Sequence, residues 1–217
     1  ESGFRKESER KKGGMIMKKR WLSLLPVLCM MLWVAPVTAL ADAGDIAIDE
    51  TNFPDKTFRE IVKEKYDKDN SGSLSLSERE SATWIQCNSK EIGSLEGIKY
   101  FSKLDKLECN NNNLTTLDLS ENKQLSKLQC QKNQLTELDF SQNPKLQELR
   151  CGNNKLESLD VSGSDLQYFD CSNNQLTSLN LDGHASLKYF DCSYNKLPTL
   201  EIGTKNNLIR IRCQQNN

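Results

Sequence analysis

A chain of 217 residues with 36% hydrophobic and 27% charged side chains and a formal net charge of −1 has room for one or two ordinary domains. That balance excludes wholesale disorder, which needs low hydrophobicity with a large net charge. It also excludes a nucleic-acid binder that works through a general basic surface.

The first predicted element is an export signal. Residues 17–20 supply a start and three positive charges, residues 21–37 are almost wholly apolar, and Thr38, Ala39, Leu40 and Ala41 follow. A basic stretch, an apolar stretch and small residues at A-x-A spacing predict a signal peptide over 17–41, cut after Ala41, with Ala39 or Ala43 as alternative sites. An uncleaved membrane anchor is the weaker reading, because the apolar run only reaches the lower length of a spanning helix and contains Pro26 and Pro36. Residues 1–16 read as a non-native upstream extension, since codons for Lys12-Gly13-Gly14 can spell a bacterial ribosome-binding site ahead of Met17; a genuine charged extension is the alternative. Removing residues 1–41 takes away 8 basic and 3 acidic side chains and leaves 21 basic and 27 acidic ones, a net charge of −6. The mature chain is expected to be mildly acidic, exported and bacterial.

Residues 42–83 predict a small helical cap. Residues 46–49 alternate apolar and polar and suit an edge strand. Over 55–66, Phe58, Ile61, Val62 and Tyr66 recur at helical spacing. The helix runs into DKDNSGSLSLSE, residues 67–78. Calcium needs several hard oxygen donors around a sharp turn. Here Asp67, Asp69, Ser71 and a bidentate Glu78 supply side chains, the Ser73 carbonyl a fifth donor, and Ser75 a water, while Gly72 permits the turn. Calcium is therefore the candidate cofactor, and a calcium-free turn between two helices is the alternative. Arg79 departs from the pattern, because a hydrophobic residue usually anchors the exit helix there. That helix is expected over about 77–82, capped by Ser77 with Glu80.

Trp84 to Cys87 begin an irregular first coil, and a repeat then fills residues 84–217. Cysteines stand at 87, 109, 130, 151, 171, 192 and 213, spaced by 22, 21, 21, 20, 21 and 21 residues. Around them align LDKLECNNNNLTTLDLS, LSKLQCQKNQLTELDFS, LQELRCGNNKLESLDVS, LQYFDCSNNQLTSLNLD and LKYFDCSYNKLPTLEIG, with a sixth block cut short at Asn217. The pattern L-x-x-L-x-C-x-x-N-x-L-x-x-L is the leucine-rich repeat with cysteine at its third apolar strand position. The fold class is thus an α/β solenoid, a curved stack of coils with parallel strands on the concave face, preceded by the helical cap.

Within a coil, Leu107 and Cys109 are two residues apart and share the inward face of a strand. The second apolar set, Leu117 with Leu119 and its equivalents, reads as a short extended segment on the convex side. Asn112, Asn133, Asn154, Asn174, Asn195 and Asn216 follow the cysteines by three, where a side-chain amide can pair turn groups that burial would otherwise orphan. The cysteines are expected to stack as seven buried, reduced thiols. Parallel rungs about 4.8 Å apart are poorly placed for disulfides, which need Cβ atoms near 3.8 Å.

These residues resemble the internalin family of Gram-positive surface proteins, especially its cysteine-containing repeats, over about 84–217. The segment NFPDKTFREIV…DKDNSGSLSLSE looks like the EF-hand-like cap that precedes such repeats in secreted clostridial-type proteins. The resemblance implies a curved solenoid whose concave strands bind a protein or cell-surface macromolecule. It implies secretion or surface attachment from a Gram-positive bacterium, and it does not name a ligand.

Outward strand positions form two rows: Lys106, Lys127, Glu148, Tyr168, Tyr189 and Arg210, then Glu108, Gln129, Arg150, Asp170, Asp191 and Arg212. Tyrosine and arginine dominate interface hot spots. The candidate ligand-binding residues are therefore Tyr168, Tyr189, Tyr194, Asp170, Asp191, Arg150 and Arg212, against the plain alternative of a solvated strand face. No catalytic residue is assigned. His184 lies in a DGHAS loop and is expected to be solvated, and the row Asp118, Asp139 and Asp160 suits turn duty better than acid–base work. The expected protein is a monomeric binding module with no nucleic-acid partner and no membrane span after signal cleavage. The alternative is an accessory region of a larger secreted enzyme.

Overall fold

The computed structural model describes residues 44–216. The expected upstream extension and signal peptide lie outside the described residues. Among the described residues, no helix is long and apolar enough to cross a membrane.

The elements run β1 (Ile46–Ala47), α1 (Lys56–Tyr66), β2 (Ser73–Leu74) and α2 (Leu76–Ser81), followed by seven strands of three residues each: β3 (Trp84–Gln86), β4 (Lys106–Glu108), β5 (Lys127–Gln129), β6 (Glu148–Arg150), β7 (Tyr168–Asp170), β8 (Tyr189–Asp191) and β9 (Arg210–Arg212). Strands β3 to β9 form one sheet in chain order, every neighbouring pair parallel. The register is that of the repeat: Leu107 faces Leu128, Leu128 faces Leu149, and Phe169 faces Phe190. This row points inward, and the rings of Phe169 and Phe190 stack with centroids 5.5 Å apart. A single coil has nowhere to bury such a face, so coils are stable only in a stack. Each fully buried leucine then contributes on the order of 1.5–3 kcal/mol.

Asparagines close the coils. Asn133 Nδ2 donates to the carbonyls of Cys109 and Cys130, both at 3.0 Å, and its Oδ1 accepts from Leu114 N at 3.1 Å. Asn112, Asn154, Asn174 and Asn195 repeat this bridge between a coil and the one before it. One residue earlier the chain is left-handed at Asn111, Lys132, Asn153, Asn173, Tyr194 and Gln215, with φ between 53° and 58°. Asparagine tolerates that region; a bulky side chain such as Tyr194 occupies it at a cost. The convex apolar residues Leu117, Leu119, Leu138 and Phe140 are buried, but their segments carry no strand.

Ahead of the sheet, Asp55 caps α1 by accepting from Phe58 N, and Phe58, Ile61 and Val62 are buried. Phe53, Phe58, Tyr66, Tyr100 and Phe101 form one aromatic cluster beside the first coil. Gly97, at φ 98°, lets Phe53 in: a Cβ there would collide with the ring. Tyr66 donates to Trp84 O at 2.9 Å, and Gly93 N donates to Asp55 Oδ2 at 2.8 Å. Strand β1 pairs antiparallel with β2 inside the acidic loop, Ile46 opposite Leu74.

Three expectations are corrected. The exit helix starts at Leu76, capped by Ser75 rather than Ser77, because Glu78 sits three residues after Ser75 and completes the reciprocal capping box. Cys213 is exposed while Cys87, Cys109, Cys130, Cys151, Cys171 and Cys192 are buried, since among the described residues no coil follows Cys213 to cover it. His184 is 1% exposed, not solvated, because its turn folds under the coil and the ring replaces an asparagine amide in the interior.

Candidate functional site

The outward rows stand where the repeat places them, one residue per coil. Tyr168 and Tyr189 are strand neighbours with ring centroids 5.5 Å apart. The Arg150 guanidinium lies over the Tyr168 ring at 4.1 Å and its Nε is 2.8 Å from Glu148 Oε1. A planar cation on an aromatic face is held by the ring quadrupole, and Arg fits such stacking better than Lys. Glu148 is shared: Lys127 Nζ lies 3.6 Å away and Gln129 Nε2 donates to it at 2.9 Å. Lys127 also reaches Glu108 at 3.7 Å. The β4–β6 part of the face is thus a network of charges that neutralise one another.

The β7–β9 part differs. Asp170 Oδ1 accepts from Ser172 N at 3.0 Å and Ser172 Oγ at 2.7 Å, and Asp191 makes the same pair of bonds with Ser193. Arg212 approaches Asp191 at 3.6 Å. Tyr189 is 38% exposed and Tyr194 50% exposed, but Tyr194 stands on the turn after β8 and not in the sheet rows. Sequence reasoning missed Trp84. It pairs with Lys106 and heads the first row, 53% exposed. The signal was present, since Trp84 precedes Lys106 by the same 22 residues that separate Cys87 from Cys109.

The acidic loop gathers its expected residues. Carboxylate oxygens of Asp67, Asp69 and Glu78 all lie within 4.8 Å of one another. Asp67 accepts from Ser71 N and Gly72 N, at 2.9 and 3.0 Å. Glu78 Oε1 accepts from Lys68 N at 2.6 Å, and Oε2 from Ser75 N at 2.8 Å. Burial alone would raise the Glu78 carboxyl, but the hydrogen bonds from Ser75 and Lys68 outweigh it and hold it below the usual range. The Ser71 N–H and hydroxyl lower Asp69 likewise. Ser71 Oγ and the Ser73 carbonyl face each other at 3.1 Å. A set of ionised carboxylates with a hydroxyl and a carbonyl is the donor chemistry of a hard divalent cation. Arg79, the departure from the pattern, extends its guanidinium to Gly44 O at 2.9 Å and ties the exit helix to the residues before β1.

The remaining reactive side chains serve structure. Burial pushes the Cys130 thiol up to about 12 and raises Cys109, Cys151 and Cys171 well above the ordinary thiol value. A thiol that stays protonated is a poor nucleophile. Asp118, Asp139 and Asp160 each accept from the backbone N–H two residues on, at Ser120, Ser141 and Ser162.

With this geometry, comparison with known proteins is specific. Residues 123–163 match the family model for leucine-rich repeats in two copies. Internalin J of Listeria monocytogenes serotype 4b (strain F2365) is 34% identical over 70 residues, which are 32% of this chain and 8% of that protein. The solved functional domain of InlJ from Listeria monocytogenes, which includes a cysteine ladder, superposes with a TM-score of 0.64 at 31% identity, over 80% of this chain and 43% of that one. An internalin (inlF) from Listeria monocytogenes strain 4b F2365 shares the fold with a TM-score of 0.61 at 24% identity, over 72% of this chain and 48% of that one. The chain spans less than half the length of each of these solved relatives.

Proposed function

We propose that this chain, an internalin-like leucine-rich-repeat protein, is a secreted or surface-attached binding module that recognises a protein or cell-surface macromolecule through the open face of its sheet. The observation that carries the reading is the tyrosine pair, Tyr168 with Tyr189, presented side by side toward solvent on rigid strands. Rigid aromatic anchors lose little entropy on binding and dominate interface energetics. Arg150, Asp170, Asp191 and Arg212 surround the pair and Tyr194 stands at its edge, so the same patch offers polar groups of both signs. Catalysis is the less favoured reading, because the thiols are buried and protonated and the repeating aspartates are spent on turns.

Calcium is the proposed cofactor, held by Asp67, Asp69, Ser71, the Ser73 carbonyl and Glu78, with a structural role in the segment ahead of the sheet. The proximity of the carboxylates and the low proton affinity of Glu78 support it. Bound calcium supplies charge neutralisation there; the protein's own contribution is to hold Glu78 in place through Ser75 and Lys68.

The test is saturable binding of fluorescently labelled protein to a panel of intact cells, before and after surface proteolysis, for wild type and for the double variant Tyr168→Ala, Tyr189→Ala. Protease-sensitive binding weakened at least about tenfold in the variant, the effect of one hot-spot residue, supports the open face. Binding that the double variant leaves unchanged refutes it.

A further inference from the structure

Residues 122, 143 and 184 occupy one slot of the repeat, thirteen after Cys109, Cys130 and Cys171. Asparagine fills it twice. Asn122 Nδ2 donates to Ile98 O and Phe101 O, both at 3.0 Å, and Asn143 Nδ2 donates to Leu119 O at 3.1 Å and Asn122 O at 2.9 Å. In these coils a tight turn also occupies the following leucine: Leu125 N donates to Asn122 O and Leu146 N to Asn143 O. The coil between Cys151 and Cys171 is one residue shorter than its neighbours. Its leucine N–H, that of Leu166, donates instead to Nδ1 of His184 at 3.2 Å. His184 thus completes the short coil from the next one.

This contact depends on the protonation of the ring. Nδ1 accepts a backbone N–H, so the neutral ring carries its proton on Nε2. A second proton can enter only at Nδ1, where it meets the Leu166 N–H donor to donor. His184 is 1% exposed, so solvent cannot absorb the change. We propose that His184 is a pH-sensitive latch between the coils that carry β7 and β8, which proton uptake at Nδ1 opens by releasing the Leu166 N–H.

Two charged groups and the Val161 backbone carbonyl act on the ring, and the carbonyl, as a hydrogen-bond acceptor, favours the protonated form. Asp165, on the preceding coil, favours the protonated form, but it is held by Ser186 N at 3.2 Å and Ser186 Oγ at 2.6 Å. Lys205, on the following coil, opposes it. Burial, the largest influence, also opposes it and leaves the proton affinity below that of a free histidine. The latch is therefore closed at neutral pH and opens as pH falls below about 6.5, the value of an unperturbed histidine.

His184 is the chain's one histidine, so its Cε1 proton gives an unambiguous NMR titration. The expected midpoint lies below 6.5, and the opening constant of the Leu166 amide, from hydrogen exchange corrected for intrinsic rates, rises about tenfold or more between pH 7.5 and 5. One pH unit of linkage corresponds to that factor. In His184→Asn, which places in the slot the side chain of its two counterparts, the opening constant should be flat over the same range. A midpoint at or above 6.5, or a Leu166 amide whose opening does not change with pH in wild type, overturns the latch. So does equal pH dependence in the asparagine variant. If that variant does not fold, the wild-type titration and exchange data decide alone.

Discussion

Gly152 makes room for Asp170: a Cβ at position 152 would lie 3.0 Å from Asp170 Oδ1 and 2.9 Å from Ser172 Oγ. The candidate ligand-binding aspartate is thus fixed through a residue on the adjacent coil that has no side chain. Gly152→Ala is expected to displace Ser172, loosen Asp170 and cost about 1–2 kcal/mol, a typical penalty for overpacking. Urea unfolding measures it, and an unchanged midpoint would mean that Ser172 moves aside freely.

Asn133→Ala should be among the most damaging substitutions of a polar residue. It leaves the N–H of Leu114 unpaired in the interior and takes one of two amide donors from each of the carbonyls of Cys109 and Cys130, which keep Asn112 and Asn154. An unsatisfied buried group costs about 1–3 kcal/mol before relaxation, so a loss of that order is expected. Asn133→Asp should do no better at neutral pH, since a carboxylate cannot donate. In the last described coil Asn216 makes the same two bonds half-buried, and in a fragment of residues 42–217 Asn216→Ala should cost under about 1 kcal/mol, because water replaces what is lost.

Thiol counting distinguishes the rungs. Among the seven cysteines of the described residues, a fragment of residues 42–217 should show one promptly reactive thiol, Cys213, and the six buried ones should appear only on denaturation without reductant. A denatured count near one among these seven would mean disulfides and would defeat the ladder.

The same thiols make the fold sensitive to alkali. An unfolded cysteine ionises near about 8.5, whereas burial pushes Cys130 to about 12 and raises Cys109, Cys151 and Cys171. Between those values the unfolded chain holds fewer protons than the folded one, so stability falls as pH rises. Below about 8.5 both states keep the proton and nothing is lost. Each fully buried thiol adds a slope of about 1.4 kcal/mol per pH unit above that point. Urea midpoints should be level from pH 7 to 8 and drop steeply above 9, less steeply in Cys130→Ala. Tyr66, which burial and then Cys87 push up to about 12, adds to the loss above pH 10. Equal slopes in wild type and Cys130→Ala would remove the thiols from the explanation.

Calcium in the millimolar range should raise the thermal midpoint relative to chelator. Extracellular modules bind at about 10⁻⁴ to 10⁻³ M, and calcium at tenfold its dissociation constant adds about 1.4 kcal/mol by mass action. Glu78→Gln should abolish the gain. It also weakens the Ser75 capping box, so the comparison to make is the calcium-dependent shift, not the absolute midpoint.

The repeat was legible because Leu107, Cys109 and Asn112 recur in register, and periodicity is a statement about which faces meet. What periodicity omits is context. Cys213 has the right spacing and is exposed, since spacing does not say whether a neighbouring coil exists. His184 stands in a polar pentapeptide that reads as surface, yet its slot counts thirteen from Cys171 as Asn143 does from Cys130. The acidic loop brings the carboxylates of Asp67, Asp69 and Glu78 together, as their spacing suggests, but spacing does not show that Glu78 rather than Glu80 caps α2, because both Ser75 and Ser77 begin an acceptable capping box. Trp84 was passed over because its coil is irregular in sequence although regular in register.

The in-register pairing of β3 to β9 also turns the open face into a ruler. Outward side chains stand one strand apart, about 4.8 Å, and the interior amide bridges prevent any coil from slipping. A partner that engages Tyr168 and Tyr189 together must present complementary groups at that pitch, and a change at one outward position alters one graduation without moving the others. Affinity can then change coil by coil while the scale itself stays constant.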